Sequence, residues 1–282
     1  MDELDGKATN LPEEIGPEAD IQGVRDVEDG SQDETGIKDK LRTLGVASSL
    51  GIGGYMLSIL WYVPFEIGIV SGYVKPTGST MLLIQYIALA LSAITIGAIY
   101  LHYSGRGIEY IDIDISGKKQ LRNLIVGVIA LVAMLFLISL FTDLFQAEST
   151  QHSIQQSVSA DQELDPRFLL IMMGLSLLII GPSEEFVFRN LVQKRMYQSF
   201  SKVSSVIMSS VLFSLVHYPA YATGSMTEVL LSLLTVFGIS ITLGGIYAWV
   251  EDLVIVSLIH GMYNASIFGQ WYLSLAGFPG VL

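Results

Sequence analysis

The chain has 282 residues, 51% of them hydrophobic and only 15% charged, with a mean hydropathy of +0.54. These values exclude an ordinary soluble domain and place the sequence with polytopic membrane proteins. The net charge of −12 is concentrated at the start, where residues 1–36 hold 12 acidic and 2 basic residues and leave −2 for the remainder. With no cysteine, disulfides and thiolate zinc sites are excluded as well.

In chain order, residues 1–40 read as an acidic cytoplasmic tail, poor in aromatics and expected to be disordered and solvated. The first apolar run begins near Leu44 behind this tail, without the basic start of a cleaved signal, and reads as an uncleaved anchor. Apolar stretches long enough, or nearly so, to cross a bilayer follow at 44–65, 81–103, 123–145, 167–191, 203–218, 227–250 and 253–275. The expected fold is therefore an all-α bundle of seven transmembrane spans, or eight if the first or last stretch divides. Residues 41–165 would supply the first three spans with their loops, and 166–282 a core of four.

Basic residues set the expected orientation. Lys38, Lys40 and Arg42 precede span one, Arg106, Lys118, Lys119 and Arg122 separate spans two and three, and Lys194, Arg195 and Lys202 follow span four. Lys75 and Arg167 stand on the opposite connections. The positive-inside rule then puts the N-terminus in the cytoplasm of a multi-pass membrane protein. Between spans two and three, Ile111, Ile113 and Ile115 alternate with Asp112 and Asp114. The run is too short for a sheet, and it reads as a cytoplasmic surface segment. The longest outer loop, 146–165, is expected to be flexible.

The chemistry concentrates in the last four spans. Glu184, Glu185 and Arg189 interrupt span four, and His217 and His260 sit in later apolar stretches. An ionisable residue at mid-bilayer costs about 2.5–3.5 kcal/mol even on lenient scales, so such groups point to a function. Glu185 and Arg189, Phe213 and His217, and His260 and Asn264 are each four apart. On helices each pair shares one face, and a bundle can aim the three faces at one interior point. Helical rise puts Glu184, His217 and His260 about 15, 22 and 12 Å from the cytoplasmic edge. Pro182, just before the glutamates, opposes regular helix and would open the span to water there.

The series Glu184-Glu185-x-x-x-Arg189, Phe213-x-x-x-His217 and His260-x-x-x-Asn264 resembles the three motifs of the CPBP intramembrane proteases, the CAAX prenyl endopeptidase or Abi family. The resemblance covers the half from 166 to 275. It implies an endopeptidase in which Glu184 with His217 activates a water for attack on a peptide carbonyl, while His260 and Asn264 stabilise the oxyanion. Glu185, Arg189 and Phe213 would support them. The implied partners are membrane lipids and a peptide or protein substrate, which in the best-known relatives carries a C-terminal lipid, and no nucleic acid. Cleavage is expected near the cytoplasmic half of the membrane. The chemistry is sound on its own terms, because a carboxylate removed from water is a stronger base and donors in a dry site stabilise developing charge.

Competing readings stand beside this one. Relatives have been described as metallopeptidases, and zinc held by Glu184, His217 and His260 is the alternative to a metal-free site; the absence of a paired-histidine helix motif such as HExxH favours the metal-free form. Arg189 either neutralises Glu185 or binds a substrate carboxylate. His217, beside Tyr218 and Pro219, could cap a helix end, and a lone His260 could be a packing residue. His102 and His152 read as exposed loop or boundary residues. A proton- or cation-coupled transporter, or a non-catalytic scaffold or immunity protein, would use the same polar groups without hydrolysis.

Overall fold

The computed structural model describes residues 29–114, 117–145, 149–160 and 164–277. Most of the acidic tail, and Ile115 of the alternating loop, lie outside the described residues. The residues up to Asp39 and those from Lys40 onward form separate units, and the helical bundle belongs to the second.

Every regular element among the described residues is helical. The helices are α1 (Asp29–Val70), α2 (Gly78–Ser104), α3 (Lys118–Phe145), α4 (Ser153–Ala160), α5 (Arg167–Met196), α6 (Lys202–Val216), α7 (Tyr218–Tyr221), α8 (Met226–Val250) and α9 (Leu253–Leu275). Six of them, α1, α2, α3, α5, α8 and α9, are long and apolar enough to cross a membrane. The remaining predicted span, the fifth at 203–218, is α6, which has only 15 residues. At 1.5 Å per residue that is about 22 Å, short of the roughly 30 Å hydrocarbon core. Its last turn therefore ends at His217 within the bundle instead of emerging past it.

Local chemistry fixes the helix ends. Ser201 caps α6 by accepting from the Ser204 amide at 3.2 Å. Ser225 and Glu228 form a reciprocal capping box at the start of α8. Asp252 accepts from the Val254 amide at 2.9 Å to start α9. Such caps answer amide groups that the first helical turn leaves without partners.

Helix α5 is irregular where Pro182 predicts it. Ser176–Ile180 and Phe186–Gln193 form π turns on either side of the Gly181–Glu185 segment. Proline has no N–H and crowds the carbonyl four residues back, and a widened turn just before Gly181 relieves both problems.

Two glycines then bring α5 against α9 at backbone distance. A Cβ at Gly181 would lie 2.4 Å from the Ser257 carbonyl oxygen and 2.9 Å from the Gly261 nitrogen. One at Gly261 would lie 2.8 Å from both the Leu177 Cα and the Ser176 oxygen. No side chain can intervene, so the glutamates of α5 and His260 of α9 are forced into reach of each other. Packing beside the crossing is apolar. One cluster joins Ala47, Ala93, Phe188, Leu191 and Phe213, and another joins Leu131, Leu243, Ile246, Val256 and Ile259.

The loop after α2 departs from the expected surface segment. The Asp112 amide donates to Asn190 Oδ1 at 3.0 Å, its carbonyl accepts from the Leu253 amide at 2.7 Å, and its carboxylate takes Lys194 Nζ at 2.6 Å and Tyr247 OH at 2.5 Å. The alternation of Ile and Asp is that of a strap pinned across the ends of α5, α8 and α9, and a residue whose carboxylate and backbone together meet three helix ends leaves no sign in local sequence.

Because backbone atoms cannot swing aside as a side chain can, Gly261→Ala is expected to cost about 1–3 kcal/mol of stability by overpacking. Thermal unfolding of the purified protein in detergent measures it, and a melting temperature equal to that of the unsubstituted chain would show that the crossing tolerates the methyl group.

Candidate active site

The two adjacent glutamates of α5 have separate environments. Glu185 is fully buried, whereas the Glu184 side chain keeps 18% exposure. Glu185 Oε2 accepts from Arg189 Nε at 2.8 Å, one turn along the same helix, and its Oε1 stands 2.8 Å from His260 Nδ1. Arg189 is itself fully buried. Its Nη2 donates to Ser240 Oγ of α8 at 3.0 Å, and its guanidinium carbon lies 5.4 Å from the centre of the Phe213 ring. The arginine thus neutralises Glu185, as a structural ion pair should.

His260 is held between both carboxylates. Its Nδ1 faces Glu185 and its Nε2 lies 3.5 Å from Glu184 Oε2. The carboxylate of Glu185, already charge-paired with Arg189, is an acceptor, which assigns the proton to Nδ1. Nε2 then presents a lone pair when the ring is neutral and an N–H only when it is an imidazolium.

His217 is organised differently. Its Nδ1 lies 2.7 Å from the Phe213 carbonyl oxygen. A carbonyl can only accept, so the proton sits on Nδ1 and the neutral ring keeps its Nε2 lone pair for other partners. His217 thus closes short helix α6, the capping position read from sequence, with its Nδ1 engaged by the helix's own backbone. Phe213 wedges the group apart, with its ring centre 4.4 Å from that of His217 and 6.1 Å from that of His260.

Glu184, His217, His260 and Asn264, with Phe213, line a single cavity of about 710 Å³. Glu185 and Arg189 are not among its lining residues. Its walls combine Tyr86, Tyr221, Tyr263 and Trp271 with apolar residues and with polar ones such as Ser58, Gln85, Ser92 and Thr235.

Two participants carried no signal in the sequence reading. Ser240, one small polar residue in an apolar span, accepts from Arg189 Nη2 across the bundle. His152, expected at an exposed boundary, lines the cavity and meets Tyr221 edge to face at 5.1 Å. Burial, and secondarily the neighbouring His217, push its imidazole down to about 4, so it faces the cavity uncharged at neutral pH.

As a test of metal fit, no three His, Asp or Glu side chains among the described residues stand close enough together to share an ion. His260 Nδ1 is committed to Glu185, which leaves it one nitrogen for any ligand.

With this geometry in view, residues 166–266 match the family model described as Rce1-like, type II CAAX prenyl endopeptidase Rce1-like. The matched span runs from the foot of α5 past Asn264 and contains all three motifs, in agreement with the family they resemble. No curated protein and no solved structure matches the chain. The long apolar helices and the family match together make the chain an integral multi-pass membrane protein. The match supports a peptide hydrolase of CAAX-protease-like type, acting on a protein or peptide.

Removing one partner of a buried ion pair strands the other, at a cost of about 3–5 kcal/mol. Arg189→Met should therefore lower stability by about that amount, and Glu185→Gln combined with it should recover part of the loss. A double-mutant cycle of denaturant unfolding reads the coupling; strictly additive losses would mean that the two groups do not depend on each other.

Proposed function

We propose that the chain is an intramembrane endopeptidase in which Glu184 and His217 activate a water molecule, without a metal ion, and His260 and Asn264 bind the oxyanion. The observation that supports this most is the convergence of these four side chains, from α5, the end of α6 and α9, on one cavity. Glu185 and Arg189 are withdrawn behind it as a neutral pair. The arrangement separates reacting groups from the groups that hold them.

The steps follow from the assigned protons. A water in the cavity gives a proton to Glu184 as its oxygen attacks the carbonyl carbon of the substrate, with the free Nε2 of His217 accepting a hydrogen bond and orienting it. Negative charge then develops on the carbonyl oxygen. The Asn264 carboxamide supplies a neutral N–H to it, and His260 supplies a second from Nε2 in its imidazolium form, countered by Glu185. When the tetrahedral species collapses, the C–N bond breaks and the proton on Glu184 passes to the leaving amine. Apolar walls exclude bulk water and raise the worth of each of these contacts.

The N-terminus is placed in the cytoplasm on the distribution of basic residues alone. Membrane lipids would cover the exposed apolar faces of the long helices, among them Ile94, Val132, Phe136 and Leu178.

Glu184→Gln keeps the shape of the side chain and removes the base, so cleavage of a substrate peptide should be lost while the melting temperature is retained. Asn264→Ala should lower kcat by about 10²–10³, the usual effect of deleting one oxyanion donor. Wild-type turnover by either variant would refute the assignment. Elemental analysis and chelator treatment of active protein address the metal: activity is expected to survive, whereas loss restored by added zinc would reinstate the zinc alternative.

A further inference from the structure

The cavity is lopsided along the bundle. Its floor lies at Glu184 and His260, near the middle of α5 and α9. From there its walls rise in one direction only, along Tyr55 and Tyr62 of α1, Gln85 and Tyr86 of α2, Ser232 of α8 and Trp271 of α9. On α9 helical rise puts His260 about 10 Å and Trp271 about 27 Å from the Leu253 end. The rim consists of the segment from Ser149 to Gln155 and of Pro219 to Tyr221. These are tied to each other and to α8: Gln156 Nε2 donates to Thr223 Oγ1 at 2.8 Å, and the Thr150 amide donates to Ser232 Oγ at 3.0 Å.

The other end of the bundle is closed. Gln193, fully buried, donates to the Gly244 carbonyl at 2.9 Å and to Tyr197 OH at 2.6 Å, and Met196 fills the space beneath it. Beyond them the Asp112 strap bridges Lys194, Tyr247 and the start of α9. Thr43 and Ser199, in hydrogen-bond contact at 2.8 Å, put the Thr43 turn of α1 at this end too. Here the chain carries Arg42, Arg106, Lys118, Lys119, Arg122, Lys194, Arg195 and Lys202, against Lys75 and Arg167 at the open end. That imbalance assigns the closed end to the cytoplasm.

The lining adds a constraint on charge. Among its described residues there is one carboxylate, Glu184, and neither Lys nor Arg; the nearby guanidinium of Arg189 is sealed behind Glu185. A free C-terminal carboxylate brought close to the scissile bond would meet Glu184, and the imidazolium of His260 is already countered by Glu185 and engaged with the oxyanion.

We propose that this site takes an internal, uncharged stretch of polypeptide presented from the extracytoplasmic face, and not a free C-terminus delivered from the cytoplasm. The inference rests on the peptidase reading above; it concerns the face from which the substrate enters and leaves the reacting groups at the depth expected from sequence, nearer the cytoplasmic end. Recognition would come from extended backbone and apolar or aromatic side chains laid along the tyrosine-rich walls. The rim segments at 149–156 and 217–223 would be the first parts of the enzyme that a substrate meets.

The chain contains no cysteine, so single engineered thiols report sidedness without background. In intact cells, a membrane-impermeant maleimide should label Ala222→Cys and Ser149→Cys, and should label Ser104→Cys only after permeabilisation. The reverse pattern overturns the proposal whatever the activity. In parallel, detergent-solubilised protein is assayed against a library of quenched peptides, with Glu184→Gln as control, and silence there counts against the peptidase reading itself. A peptide cleaved in detergent is then supplied outside sealed vesicles. Right-side-out vesicles should cleave it about tenfold or more faster than inverted ones, and its C-terminally amidated form should match the free acid. Faster cleavage by inverted vesicles, or about a tenfold preference for the free acid, would overturn the proposal.

Discussion

A carboxylate with no access to water has to be answered from within the protein, and Glu185 is such a group. Arg189 answers one oxygen from its own helix and His260 answers the other from α9. Breaking either contact would leave a charge in a medium that cannot solvate it, a far larger penalty than losing an ordinary hydrogen bond. The requirement fixes the rotation of α5 against α9. It also dictates which His260 nitrogen carries the proton and, through Ser240 and Phe213, the approach of α8 and α6.

With that anchor in place, the neighbouring glutamate is left out of the ion pair and faces the cavity. Consecutive residues on a helix point about 100° apart, so a helix that turns Glu185 wholly inward turns Glu184 toward the adjoining space. The π turns on both sides of Pro182 let the helix hold this rotation while each end packs normally. The widened turns beside the proline, the backbone-close glycine crossing and the buried ion pair thus form one device.

The bundle also separates order from access. One end is tied by a polar network around Asp112 and Gln193 that joins α5, α8 and the loop after α2. The other end surrounds a cavity whose rim is a short strap and a one-turn helix held by a few hydrogen bonds. Segments with few buried contacts open at lower free energy than the core they border. A hydrolase inside a membrane needs that asymmetry, because its substrate must unfold into the site while the catalytic geometry stays fixed.

The membrane class, the helical fold and the approximate spans were legible in the sequence because long apolar runs have few other outcomes in water or lipid. The three same-face pairs were legible too, since helical periodicity follows from spacing alone, and so was the disturbance at Pro182. What sequence could not decide was how those faces divide their labour. Glu184 and Glu185 are the same residue type side by side, and only burial distinguishes them. The roles of Ser240 and His152 and the docking of Asp112 all depend on contacts between segments some fifty to a hundred and forty residues apart. The end toward which the cavity opens depends on where six helices diverge, a property of their packing together that no single stretch of residues carries.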